Sequence, residues 1–281
     1  MSKLALGTVQ FGMSYGISNT IGQVGKNEAK KILAFAKQEG IDTLDTAMGY
    51  GNSEQVLGEL GVNDFKIITK TSTLINDVDV VINNFYHSLN NLGVEHVEGL
   101  LIHNFNDVEE KKFSILQNKL YNLKKEGLIQ KIGFSTYTPK QVDFLLENFD
   151  FDLIQVPFNV FDTRLIEGGQ LQALKNKSVE IHARSVFLQG LLLSFDSLSD
   201  YFSTWDIQFE QYQEIVKVNE LSLLDYALNF ALNTQELDKI LVGVDNVNQL
   251  TDIINSSKLD VDLDAFKIDD ISLINPSLWS E

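Results

Sequence analysis

The feature that most constrains this chain is a regular alternation between two hydrophobic periods. Short apolar, β-branched runs recur along it, each followed by a longer segment with apolar residues three to four apart. The strand-like runs are 3–7, 41–45, 66–70, 99–103, 131–135, 153–155, 180–184 and 239–243. The helix-like runs are 26–40, 53–61, 78–92, 108–126, 139–148, 170–177, 209–219 with 223–233, and 247–254. The punctuation agrees. Gly40 and Gly127 follow helical runs, Gly61 closes one, Asp77 and Asn246 stand at N-cap positions, and Pro139 is a first-turn proline. Eight such units in about 250 residues predict an α/β chain folded as one (β/α)8 TIM barrel, a single domain over 1–281. A doubly wound open sheet is the rival. It wants a glycine fingerprint after the first strand, and Gly7-Thr8-Val9-Gln10-Phe11-Gly12 lacks that spacing.

Composition narrows the function. With 281 residues, 44% of them hydrophobic, the chain can bury a full core. Three prolines and no low-complexity linker favour one compact domain. A net charge of −17 argues against a nucleic-acid partner and against docking on anionic lipid. The absence of cysteine excludes a disulfide framework, a thiolate zinc site and a cysteine nucleophile. The N-terminus lacks the apolar core of a signal peptide, and no apolar run reaches the ~20 residues that span a bilayer. A cytoplasmic location is expected.

In a barrel, chemistry sits where strands end at the C-terminal rim. The residues there are Asp45, Lys70, His103, Ser135, Gln155 and Arg184. Period two places Thr43, Ile68, Leu101, Gly133, Leu153 and His182 one layer below. A mostly apolar or small inner layer under a polar rim marks a site at that end. His182, one layer deeper, reads as a core histidine. His87 and His96 lie on or beside a helix and receive no role.

The most specific stretch runs from Asp42 to Gly58. Asp45 ends a strand, Tyr50 follows five residues on, and Gly51, Ser53-Glu54 and Leu57-Gly58 complete the pattern. It resembles the signature of the aldo-keto reductase family. With Lys70 and His103 ending the next two strands, the chain is similar to that family in its catalytic tetrad Asp45, Tyr50, Lys70 and His103, and along nearly its whole length. The resemblance implies NAD(P)H-dependent reduction of an aldehyde or ketone to an alcohol, with a small-molecule carbonyl substrate and no metal. It also tilts the oligomeric state toward monomer.

The four residues make chemical sense on their own. Hydride delivered to a carbonyl carbon leaves an alkoxide that needs a proton. A tyrosine hydroxyl can donate one, and a nearby ammonium favours the phenolate that results. Tyr50 is thus the general acid, Lys70 its electrostatic partner, Asp45 the group that orients Lys70, and His103 the donor to the substrate oxygen. Taken singly, Asp45 could cap a helix. Ser53-Glu54 could be an N-cap and a first-turn acid, which would also steady Tyr50.

The resemblance extends to the cofactor. Gly133-Phe134-Ser135-Thr136 resembles the family's Gly-x-Ser-Asn, which holds the nicotinamide carboxamide, with Thr136 in place of asparagine. Gln155 matches the glutamine on the same group. Arg184-Ser185 falls where many members stack an aromatic ring on the nicotinamide, and a guanidinium plane can stack similarly. The segment containing Leu188 and Gly190 resembles the loop over the pyrophosphate. After the eighth strand, NADPH-preferring members carry Lys or Arg for the 2′-phosphate. Here Gly243, Asp245 and Gln249 stand in a segment without a cation, and Lys239 and Lys258 are the nearest lysines. The resemblance implies NADP(H), while the local chemistry admits NAD(H).

Candidate substrate contacts are Phe11, Met13, Phe105, Arg164 and Trp279. Together with Tyr15, Phe158, Phe161, Phe187 and Trp205 the apolar ones would form a mouth or plug the barrel end. Arg164 would receive an anionic group or make a surface pair. The stretches 187–190 and 275–279 resemble bacterial members associated with sugar or surface-polysaccharide metabolism. Two alternatives stand beside the reductase. One is a cofactor-binding regulatory subunit on the same fold, as in the family's potassium-channel β subunits. The other is a Schiff-base aldolase using Lys70.

Overall fold

The computed structural model describes residues 2–74, 77–196 and 198–279. Eight parallel strands close into a barrel in sequence order. They are β1 (Leu4–Gly7), β2 (Thr43–Asp45), β3 (Lys66–Lys70), β4 (Val97–Ile102), β5 (Ile129–Ser135), β6 (Leu153–Pro157), β7 (Glu180–Arg184) and β8 (Lys239–Gly243). β8 returns to β1 with Gly243 opposite Gly7, which seals the cylinder. Outside lie α1 (Lys26–Gln38), α2 (Ser53–Leu60), α3 (Val78–Leu92), α4 (Phe113–Lys125), α5 (Pro139–Asn148) and α6 (Gln170–Asn176). The β7–β8 connection carries two helices, α7 (Asp206–Val218) and α8 (Leu223–Asn233), and α9 (Val247–Ser256) follows β8.

Local chemistry sets the helix ends. Asp77 accepts from Asp79 N to open α3, and Gly93 closes it in the left-handed region at φ 65°. Thr138 caps α5 ahead of its first-turn proline, and Ser222 with Asp225 forms a capping box on α8. Asn246 caps α9 through Gln249 N. The sequence reading differs from the structure at two loops. The helix expected over 108–126 is a 3-10 turn at Phe105–Glu109 followed by α4. Asp107 causes the break, because its carboxylate is turned back to accept from Leu74 N at 3.0 Å. β4 also stops at Ile102, so His103 is the first residue of the loop.

The barrel interior is a small apolar cluster of Ile68, Leu101 and Leu153, all fully buried. Gly99 makes room for it, since a Cβ there would stand 2.8 Å from Ile68 Cδ1 and 2.9 Å from Leu153 Cδ2. A second, larger core lies between strands and helices. Each of its fully buried Leu, Ile or Phe side chains stabilises the fold by about 1.5–3 kcal/mol. The N-terminal end of the barrel is closed by ion pairs. Lys131 bridges Glu98 and Glu180 at 2.7 and 2.5 Å, and Lys239 holds Asp42 at 2.7 Å. His182 is fully buried and meets Glu180 at 2.7 Å. The apolar layer therefore separates a charged floor from the opposite, C-terminal rim. Among the described residues no helix is long and apolar enough to cross a membrane.

Candidate active site

The rim is organised first by buried hydroxyls. Thr8 Oγ1 donates to Asp45 O at 2.9 Å, and Ser53 Oγ donates to Thr8 O at 2.8 Å. Thr46 Oγ1 donates to Ser53 Oγ at 3.2 Å. Ser53 is thus not an N-cap. Asn52 occupies that position without a side-chain cap bond, and Ser53 ties the ends of β1 and β2 together. Gly12 packs against the turn that carries Tyr50 so closely that a Cβ would overlap the Tyr50 carbonyl oxygen. Glu54 is buried and accepts from Thr69 Oγ1 at 2.7 Å, on the strand residue before Lys70. Burial pushes its carboxyl above the usual range.

These supports bring the four predicted residues together. Lys70 Nζ donates to Asp45 Oδ1 at 2.6 Å and to Thr46 O at 2.8 Å. Gln155 Nε2 donates to the other Asp45 oxygen at 2.7 Å. Lys70 Nζ lies 4.8 Å from the Tyr50 ring centroid. Burial works against the Lys70 ammonium, but the negative charge of Asp45 and the neighbouring Tyr50 outweigh it, and its pKa is raised. The His103 ring meets the Tyr50 ring edge-on, with centroids 6.0 Å apart. Burial, reinforced by the Lys70 charge, pushes His103 down to about 4. At neutral pH it is an uncharged hydrogen-bonding group beside a fixed cation.

Above them opens a cleft of about 530 Å³, within the range of small-molecule sites. Asp45, Tyr50, His103 and Gln155 line it, as do Gly243 from β8 and Asp245, Gln249 and Asp252 from the segment after it. Ser135, Arg184, Ser185 and Gly190 line it as well. Thr136 and Leu188, also expected to touch cofactor, are fully buried behind the wall. Thr136 acts from there, its carbonyl accepting from Arg184 Nη2 at 2.9 Å. The Arg184 guanidinium carbon sits 4.2 Å from the Tyr137 ring centroid, so one face of its plane is covered.

None of the five expected substrate residues lines the cleft. Phe11 is fully buried core. Met13 is exposed outside the cleft, and Phe105 packs on Phe144 at 5.8 Å. Arg164 makes a two-point contact with Asp162, both bonds 2.7 Å, which satisfies its charge locally. Trp279 donates to Leu273 O at 2.9 Å and leans on Phe202. Of the rim aromatics expected from the sequence, Tyr15 and Phe187 do line the cleft, joined by Tyr137 and Leu193. The sequence reading missed Gln10, Tyr137, Gln189 and Asp252, all of which line the cleft. Gln189 lies in a strained turn, with Ser185, Leu188 and Gln189 at φ 59°, 47° and 56°. Its carbonyl accepts from Ile17 N at 3.0 Å and so joins two loops over the cleft.

A long dinucleotide fits this trough. Gln10 Oε1 is buried without a partner among the described residues, beside Gly243, where a Cβ would come within 2.6 Å of Gln10 Nε2. A Cβ on Gly190 would overlap Ser18 Oγ, which lines the same trough.

The model of the Aldo/keto reductase family matches residues 3–274. The chain is 23% identical to the Bacillus subtilis oxidoreductase YqkF, over 92% of this chain and 91% of that protein. It resembles in fold the aldo-keto reductase AKR11C1 from Bacillus halodurans, with a TM-score of 0.76 at 19% identity, covering 92% of this chain and 87% of that one. The glycerol dehydrogenase AKR11B4 from Gluconobacter oxydans superposes with a TM-score of 0.73 at 20% identity, over 93% and 88% of the two chains. A closed eight-stranded barrel, a polar C-terminal rim and a family match across almost the whole length agree: this chain belongs to the aldo/keto reductase family.

Proposed function

We propose that this chain reduces an aldehyde or ketone to an alcohol, with NAD(P)H as hydride source and Tyr50 as proton donor. The observation that carries the reading is the buried Asp45–Lys70 pair facing Tyr50, with His103 beside it, at the floor of one cleft. When bound, the nicotinamide would supply a hydride to the carbonyl carbon beside Tyr50 and His103. Ser135, Gln155, Arg184 and Ser185 would hold that half of the cofactor, and Gly190, Gly243, Asp245 and Gln249 the rest.

Each protein group then has a task. His103, held neutral, donates a hydrogen bond to the carbonyl oxygen and sets its direction. Tyr50 passes its hydroxyl proton to that oxygen, and the resulting phenolate faces the Lys70 ammonium. Asp45, itself steadied by Gln155, keeps Lys70 charged and aimed. Tyr15, Tyr137, Phe187 and Leu193 offer the apolar part of the substrate its wall. The relatives lend no support to a sugar- or polysaccharide-associated subtype.

The aldolase alternative meets a physical obstacle. A Schiff base needs a neutral, accessible amine, whereas the Lys70 side chain is 1% exposed and its pKa is raised. The regulatory-subunit alternative leaves the complete set of four groups without a task. The test is to follow cofactor oxidation by the purified protein over a panel of small aldehydes and ketones. Carbonyl-dependent oxidation is expected. A borohydride-trapped adduct on Lys70, or a folded protein that never oxidises either cofactor, would contradict the reading.

A further inference from the structure

We propose that the cleft is selective for NAD(H) and rejects the 2′-phosphate of NADP(H). The inference rests on the hydride-transfer reading above, which fixes the nicotinamide at Tyr50 and His103. The adenosine is then assigned to the part of the cleft lined by Gly243, Asp245, Gln249 and Asp252.

A protein holds a phosphate with cations or with free N–H groups at a helix N-terminus. Among the described residues, no lysine lines the cleft there. Among the described lining residues the only Lys or Arg is Arg184, which leans on Tyr137 and is bonded to Thr136 O. The two lysines nearest in sequence are elsewhere. Lys239 lies on the opposite, N-terminal face of the barrel, bonded to Ser2 O and Asp42. Lys258 follows the far end of α9, about 15 Å of helix away.

Three N–H groups around the start of α9 are taken up within the protein. Asp245 N donates to Gln249 Oε1 at 2.7 Å, Val247 N to Glu28 Oε1 at 3.0 Å and Gln249 N to Asn246 Oδ1 at 3.0 Å. Glu28 is itself an acid brought to this helix end from α1, and Lys31 is bound to its second oxygen at 2.9 Å. Two acids, Asp245 and Asp252, are among the residues that line this part of the cleft. Asp245 Oδ1 is positioned by Asn19 Nδ2 at 3.3 Å. A carboxylate so placed accepts a hydrogen bond from a ribose hydroxyl and repels a 2′-phosphate, which carries about −1.5 to −2 at neutral pH.

The experiment is equilibrium titration of the purified protein with NADH and with NADPH, read by cofactor fluorescence at one fixed salt concentration. Wild type, Asp245→Asn and Asp245→Arg are compared, with folding checked by circular dichroism. Wild type is expected to bind NADH about tenfold or more tightly than NADPH. Asp245→Asn should narrow the gap, and Asp245→Arg should close or reverse it. Equal or tighter NADPH binding by wild type overturns the inference and leaves the reductase reading standing. A gap that survives both substitutions overturns the assignment to this corner. Folded protein that binds neither cofactor removes the hydride-transfer reading, and the inference with it.

Discussion

Replacing Lys70 by methionine separates what the buried ion pair does for the fold from what it does for chemistry. The two side chains are 1% and 4% exposed, and their charged atoms are 2.6 Å apart. At an effective dielectric of 20 that separation is worth about 6 kcal/mol of gross attraction. Much of it is offset by desolvation of both ions. Lys70→Met deletes the cation and leaves Asp45 buried, with the Gln155 amide as its remaining side-chain donor on that carboxylate. Stranding a buried charge costs about 3–5 kcal/mol. For a domain of this size the melting temperature should fall by roughly 6–20 °C. The double variant Lys70→Met/Asp45→Leu removes both charges and should recover most of the loss, because an apolar pair of similar volume is tolerated there. Both variants should be catalytically crippled, since neither places a cation under Tyr50. The assays are thermal and urea unfolding alongside carbonyl-dependent cofactor oxidation. A single variant within 1 kcal/mol of wild type would refute the stability argument. A stable double variant that keeps its turnover would refute the electrostatic role of Lys70.

Three further outcomes follow from particular residues. His103 is pushed down to about 4, chiefly by burial, so the rate of carbonyl reduction should show no histidine inflection between about pH 5.5 and 8. A limb near pH 6.5 that His103→Gln abolishes would show that the ring is charged in the working enzyme. Glu180 would be raised by burial alone, but its hydrogen bonds with His182 and Lys131 hold it at about 2. Because the folded pKa is depressed, this carboxylate contributes stability above about pH 4.5 and loses it as pH falls toward 2. Glu180→Gln should therefore flatten the acid side of the stability curve, and an unchanged acid midpoint would count against the ion-paired floor. Gly12→Ala forces a methyl group into the Tyr50 carbonyl, and should lower turnover by tenfold or more. Wild-type kinetics in that variant would mean the Tyr50 turn is free to move.

Much of this site was legible in the sequence because strands obey a period of two. Asp45, Lys70, Ser135 and Arg184 end strands, while Gln155 stands two residues before the end of β6, which runs on to Pro157; Ile68 and Leu153, two residues before Lys70 and Gln155, belong to the apolar layer beneath. Thr136 and Leu188 were misplaced because they sit one residue or one strained turn away from that pattern. The loops obey no such period. Phe11 looked like a rim aromatic, but the short helix Val9–Gly12 turns it into the core. Arg164 looked free to meet an anion, yet its partner Asp162 stands only two residues away. Gln10, Gln189 and Asp252 reach the cleft through tertiary packing of loop on loop and of α9 on the rim, which no local spacing announces.

The central claim is that Tyr50 delivers the proton. The most direct measurement compares Tyr50→Phe with wild type in two readouts, cofactor affinity by fluorescence titration and kcat for carbonyl reduction. Deleting one oxygen from a side chain whose ring keeps its place should leave cofactor affinity within about twofold. kcat should fall by about 10²–10⁴-fold, the range for loss of a general acid. A variant that binds cofactor normally and still turns over at the wild-type rate would contradict the account.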